Sequence, residues 1–286
     1  MKTIGIRLPY IAIVLIILIS CEKEVNNVRY PEFKQKLVVS GFISPDNSKN
    51  YIRISSNKRI YGDVWSLDTI GILSVTLSND TKEISLDTSH LGFVCNSSDF
   101  PVEAGKTYTL KVKSDGGSNA EASCTVPFKR NFALEIDTFR IINYNPYNIE
   151  DLYFNSYFYF TDIQGEDNYY MFFCEQINYD SQLYGSPFVF NISGPENPSF
   201  NDKGIDGMRS KIALQVIGVP ETVDSSFLKV YLLNTDKAYY DYQKSLENYN
   251  DGEDPFTEPS PVYTNIIGGL GIFASYTVDS LIFRLK

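Results

Sequence analysis

Few residues in this sequence are of types that catalyse or ligate, and their spacing limits the chemistry open to them. The single histidine, His90, rules out a multi-histidine metal site and makes any Ser/His/Asp arrangement depend on one imidazole. It follows Asp87, Thr88 and Ser89 beside an expected strand, which is the setting of a surface turn. Carboxylates are abundant, with 35 Asp plus Glu, and they gather as Asp162/Glu166/Asp167, Asp202/Asp206 and Asp251/Glu253/Asp254. Such loops can hold calcium, and a carboxylate pair can hydrolyse a glycoside, but none has EF-hand spacing and so many acids pair by chance. Solvated turns are the simpler reading. The run Gly268-Gly269-Leu270-Gly271 lacks the lysine and hydroxyl of a phosphate-binding loop, and no helix follows it. Tight turning or close approach between strands is expected there instead. Neither a metal nor a cofactor is expected.

A different chemistry is written at the start of the chain. Lys2 and Arg7 precede an apolar run over residues 10–19, too short to span a bilayer and suited to a signal-peptide core. Leu18-Ile19-Ser20-Cys21 then resembles a bacterial lipobox, in which the cysteine sulfur is lipidated and the new amino terminus is acylated after cleavage. Cys21 is thus expected to be a lipid anchor, with residues 1–20 as its signal peptide and 21–34 as a lipidated tether. Glu22, Lys23 and Glu24 resemble the acidic export signal that sends some lipoproteins to the outer face of the outer membrane.

The rest of the composition fits a folded, β-leaning body: 43% hydrophobic, 21% charged, with 21 Tyr and 19 Phe. Twenty-five basic against 35 acidic side chains exclude a protein that grips a nucleic-acid backbone. Cys95 and Cys124 both fall on apparent inward strand positions, where a disulfide is conceivable; buried thiols are preferred, because the odd count of Cys95, Cys124 and Cys174 gives no pairing framework.

These residues need elements to position them, and the dominant period is two. Tyr108, Leu110 and Val112 alternate with Thr109, Lys111 and Lys113; Ala120, Ala122, Cys124 and Val126 form one inward set, and Leu73, Val75 and Leu77 another. With runs at 36–43, 51–55, 82–86 and 91–95, seven short strands are expected, which predicts an immunoglobulin-like β-sandwich over 35–128. A boundary is expected at 127–131. Longer, aromatic-rich strands follow at 132–142, 152–161, 168–177, 188–193, 211–218 and 227–233, and the chain ends with the segment 262–267, the glycine run and strands at 272–276 and 280–285. They predict a larger all-β domain over 129–286, a barrel or a sandwich, with one packed helix near 236–250 capped by Thr235 or Asp236 and stopped by Asp251-Gly252.

Several pieces together resemble one family. They are Cys21-Glu22-Lys23-Glu24, the strand Lys36-Leu37-Val38-Val39-Ser40-Gly41-Phe42-Ile43, Ala104 to Leu110, Phe160-Thr161-Asp162 through Tyr170, and the closing Pro255-Phe256, Glu258-Pro259, Val262 to Ile266 and Gly268 to Phe273. Over nearly the whole mature chain the sequence resembles the domain of unknown function 4249 lipoproteins. The resemblance implies a Bacteroidota-type outer membrane and a link with TonB-dependent transporters, and it implies no catalytic residues.

The reading that follows is a noncatalytic, surface-exposed outer-membrane lipoprotein, an accessory or docking partner of a TonB-dependent transporter or envelope complex. A surface glycan- or peptide-hydrolase and a free-standing glycan- or peptide-binding adhesion module are the alternatives. Trp65 and the loop tyrosines Tyr144 and Tyr147 are the candidate interface aromatics, since a large ring with a polar tip suits a binding surface; cover for the sandwich edge by Trp65 and a tyrosine-rich β core are the simpler readings.

Overall fold

The computed structural model describes residues 33–58, 70–137, 140–142, 152–178, 192–193, 198–218, 226–249 and 260–284. Among the described residues the chain is all-β with one short helix. The first half contributes β1 (Leu37–Ile43), β2 (Lys49–Ser56), β3 (Ile72–Ser78), β4 (Glu83–Ser85), β5 (Asp87–Ser89), β6 (Gly92–Asn96), β7 (Thr107–Ser114) and β8 (Asn119–Thr125). After them come β9 (Glu135–Ile136), β10 (Arg140–Ile142), β11 (Leu152–Thr161), β12 (Tyr169–Asn178), β13 (Ile192–Ser193), β14 (Ser199–Asn201), β15 (Arg209–Gly218) and β16 (Ser226–Thr235). Helix α1 (Lys237–Glu247) and β17 (Gly269–Arg284) complete the order. Among the described residues no helix is long and apolar enough to cross a membrane.

One long sheet organises everything else, in the order β14-β12-β16-β17-β1-β2-β6-β5. A four-stranded sheet, β4-β3-β7-β8, and a five-stranded one built on β10-β11-β15-β13 with β9 beside β11 both cover the same face of it. The alternation along β17 shows this directly. Phe273 belongs to the core shared with β7 and β8, and Leu281 packs on the core shared with β11 and β15, while Ile272, Ala274, Tyr276 and Val278 point the other way. Two sandwiches therefore lie along one strand. No sheet closes into a barrel among the described residues.

The first core holds Leu37, Val39, Ile52, Leu77, Tyr108 and Leu110, in the two-sheet layout of an immunoglobulin-like domain. The second is aromatic, with Phe158 and Phe160 of β11 against Tyr170 and Phe172 of β12. Their rings meet at tilted or edge-on angles, Phe158 to Phe172 at 5.1 Å and Phe160 to Tyr170 at 5.4 Å.

Strand β17 links the two sandwiches because its halves have different partners. Gly269 to Ser275 pair in parallel with β1, and Tyr276 to Arg284 pair antiparallel with β16. The sheet thus runs unbroken between elements on either side of 127–131. Residues 272–276 and 280–285, expected as separate strands, belong to one: Thr277 and Asp279 interrupt the apolar pattern where one core gives way to the next, yet the backbone stays extended. Over 262–267 the chain makes one bridge, Ile267 with Glu121 of β8. Asn265 supplies the strand-like contact with its side chain, donating to the Phe273 carbonyl at 2.7 Å and accepting from the Phe273 N–H at 3.0 Å.

Two further expectations fail for local reasons. Leu73 is 71% exposed, because a register shift between Ile72 and Ser74 turns Ile72 toward the core in its place. The run 132–142 is not one strand. Ala133 adopts a positive φ of 48°, with its N–H held by Asn131 Oδ1, and the strands begin only at Glu135 and Arg140.

Helix α1 lies on the opposite face of the long sheet, burying Tyr239 against Phe42, Leu233 and Ile272. Of the two expected caps, Asp236 is the one used. Its Oδ1 accepts from Tyr239 N–H at 2.8 Å. Its Oδ2 accepts from the N–H and hydroxyl of Ser275, at 2.7 and 2.8 Å, where β17 passes from β1 to β16. The helix ends at Asn248, and Asp251-Gly252 lie outside the described residues.

Burial outweighs those hydrogen bonds and raises the Asp236 carboxyl from 3.8 to about 6. A raised carboxyl contributes stability that is full below pH ~4 and is lost as pH rises through about 6. Relative to Asp236→Asn, the native chain is expected to lose up to about 3 kcal/mol between pH 4 and 7. Urea denaturation of both proteins across that range checks it. A difference that does not change with pH would contradict the assignment.

Candidate functional site

The acidic residues come together as the sequence could not show, and the carboxylates of Asp162, Glu166, Asp202 and Asp206 already hold donors of the protein itself. Loop 162–168 follows β11 and loop 202–208 follows β14, and the two interlock through carboxylate-to-backbone bonds. Asp206 Oδ1 accepts from Gly165 N–H at 2.7 Å, and Asp202 Oδ2 from Asn168 N–H at 2.8 Å. Asp162 is buried; it accepts from Gly207 N–H at 2.8 Å and from the Tyr170 hydroxyl. Burial, with that carboxylate beside it, pushes the Tyr170 hydroxyl far above its ordinary range, so it stays a proton donor. Glu166 takes both bonds of Arg130, at 2.6 and 2.9 Å. Among the described residues no group of three or more His, Cys, Asp or Glu could hold a metal ion. These carboxylates tie loops; Asp251, Glu253 and Asp254 lie outside the described residues.

Other candidates resolve into structural roles. His90 is exposed in the turn between β5 and β6. The glycine run is the start of β17, pressed against its neighbours: a Cβ on Gly268 would sit 2.3 Å from the Asn119 carbonyl oxygen. Cys95 and Cys124 are buried free thiols and Cys174 is a partly buried one. Desolvation lifts Cys95 to about 11 and Cys174 to about 12, which keeps them protonated and unreactive near neutrality. Cys21, Glu22, Lys23, Glu24, Trp65, Tyr144 and Tyr147 lie outside the described residues.

What stands out on the surface is aromatic, and it belongs to the second sandwich. At the margin of the part of the long sheet that α1 covers, Phe173 of β12 lies opposite Tyr231 of β16, which is half-buried against the helix-side core. Their rings stack with centroids 4.5 Å apart and planes 15° from parallel. Phe173 is 41% exposed, and Ile282 on β17, paired with Lys229, is 57% exposed. Lys229 Nζ lies 4.6 Å from the Tyr231 centroid, and the Tyr231 hydroxyl donates to Glu175. An apolar centre framed by one cation and one anion is the composition of an interface core with its rim.

A sequence signal for this face existed. Tyr170-Met171-Phe172-Phe173 is apolar on both faces of its strand, whereas a half-buried strand alternates with polar residues. Tyr170 and Phe172 fill the core, Met171 lies under the helix, and Phe173 remains uncovered. The outer face of the five-stranded sheet carries aromatics as well, with Tyr157 exposed and Tyr159 half-buried. The four-stranded sheet presents hydroxyls instead. Thr107 meets Thr125 and Thr109 meets Ser123, each pair at 2.8 Å, the pattern of a solvated surface.

In comparison with known proteins, residues 23–282 match the family described as Domain of unknown function (DUF4249). No curated protein matches the sequence.

Proposed function

The chain belongs to the DUF4249 family, and from that premise we propose that it is a noncatalytic lipoprotein, held on the outer membrane through Cys21 and displayed at the cell surface. Its task is to dock on a β-barrel envelope protein, a TonB-dependent transporter being the partner that the family resemblance implies. The observation that carries this reading is the exposed apolar pair Phe173 and Ile282, flanking the half-buried Tyr231 on the helix-side face of the long sheet. Large stacked rings on a rigid strand pair lose little entropy on binding, and a few such residues carry most of the energy of an interface.

Replacing both Phe173 and Ile282 by Asp is expected to cut recovery of a β-barrel partner about tenfold in pull-downs from gently solubilised membranes. Since both side chains are exposed, the melting temperature should stay within a few degrees of the native value. Undiminished recovery by the doubly substituted chain would remove this face from the account.

A further inference from the structure

We propose that the outer face of the five-stranded sheet is a second docking surface, and that its occupant is an extended, carboxylate-bearing segment of a partner protein. Arg209 and Lys211 stand two residues apart on β15 and so share one face of the sheet. The Arg209 guanidinium lies 4.1 Å from the centroid of Tyr159, and Lys211 Nζ lies 4.6 Å from that of Tyr157. Each ring holds its cation in place, so less side-chain freedom is lost when an anion arrives.

The spacing fixes the shape of the ligand. Alternate residues of an extended strand are separated by roughly 6.6–6.8 Å, so two cations at that interval match carboxylates at alternate positions of another extended chain. Glu135 already shows the chemistry, meeting Arg209 at 2.7 Å. Their side chains are 53% and 61% exposed, an ion pair weak enough for an incoming carboxylate to replace. Among the described residues Lys211 has no ion-pair partner at all.

A peptide is favoured over an acidic polysaccharide by the same geometry. Sugar rings are gripped by open aromatic faces, and here the cations already lie over both tyrosines. The surface reads charge and not ring stacking. Because the chain as a whole carries a formal charge of −10, attraction for an acidic segment is confined to this strip and must weaken with salt.

The test uses the full chain in detergent and a fluorescent peptide that alternates glutamate and threonine, followed by anisotropy. Saturable binding that weakens with salt is expected, and Arg209→Glu with Lys211→Glu should weaken it by about tenfold or more. Glu135→Gln, which frees the guanidinium, should tighten it about two- to fivefold. The Phe173→Asp, Ile282→Asp chain should bind the peptide normally, which separates this surface from the one proposed above. Absence of saturable binding, equal binding by the charge-reversed chain, or tighter binding of an oligouronate than of the peptide would each overturn the proposal.

Discussion

Gly271→Ala is expected to destabilise the chain by about 3–5 kcal/mol, the sum of a strained backbone and an overpacked contact. Gly271 has φ of +100°, a conformation that L side chains rarely adopt, and a Cβ there would lie 1.9 Å from the Val39 carbonyl oxygen. That oxygen belongs to β1, whose Val39 sits opposite Gly271 in the parallel pairing and whose side chain is buried in the first core. Neither backbone can retreat without opening the sandwich. Gly165→Ala provides the comparison, because Gly165 also has a positive φ of +80° but nothing lies within 4 Å of its would-be Cβ. Backbone strain alone should cost it about 1 kcal/mol. Urea midpoints of both variants distinguish the contributions, and equal losses would show that close approach between β1 and β17 does not set the requirement for glycine.

The second large effect concerns location. Cys21→Ala is expected to move the protein almost entirely from the membrane fraction to the soluble one, even after a high-salt wash. Each buried methylene of an acyl chain contributes roughly 0.8 kcal/mol, and stable anchoring needs more than one chain. The substitution removes the sulfur that would carry the lipid, and it precedes every described strand, so the fold itself should be untouched. Circular dichroism checks the fold, and mass spectrometry of native material should find Cys21 acylated as the new amino terminus. Retention of Cys21→Ala in washed membranes would contradict the anchor.

Much of the fold was legible because half-buried strands write a period of two. The inward sets of β7 and β8 are buried as expected, and β11 has the expected bounds. Where reading failed, another influence interrupted that period. A bulge flipped Leu73, a positive φ at Ala133 delayed β9, and the change of core beneath Thr277 and Asp279 made one long strand look like two. Strands β5 and β14, three residues each, are too short to show any period.

The surfaces were less legible than the fold. Solvated turns described the acidic loops only in part, since Asp162 is buried and Asp202 and Asp206 hold backbone N–H groups across a separation set by sheet topology. Alternation can also mark Phe173 as facing away from the core, yet only the placement of α1 shows that the helix stops short of it. The same holds for Arg209 and Lys211, whose tyrosines come from a different strand.

In-cell photo-crosslinking from a photoreactive analogue in place of Phe173 decides whether this face of the second sandwich meets a partner. A covalent adduct with a β-barrel membrane protein is expected, and none from the same group at Lys111 on the hydroxyl-rich sheet. Equal adducts from both positions, or none from Phe173 in cells where the protein is membrane-bound, would contradict it.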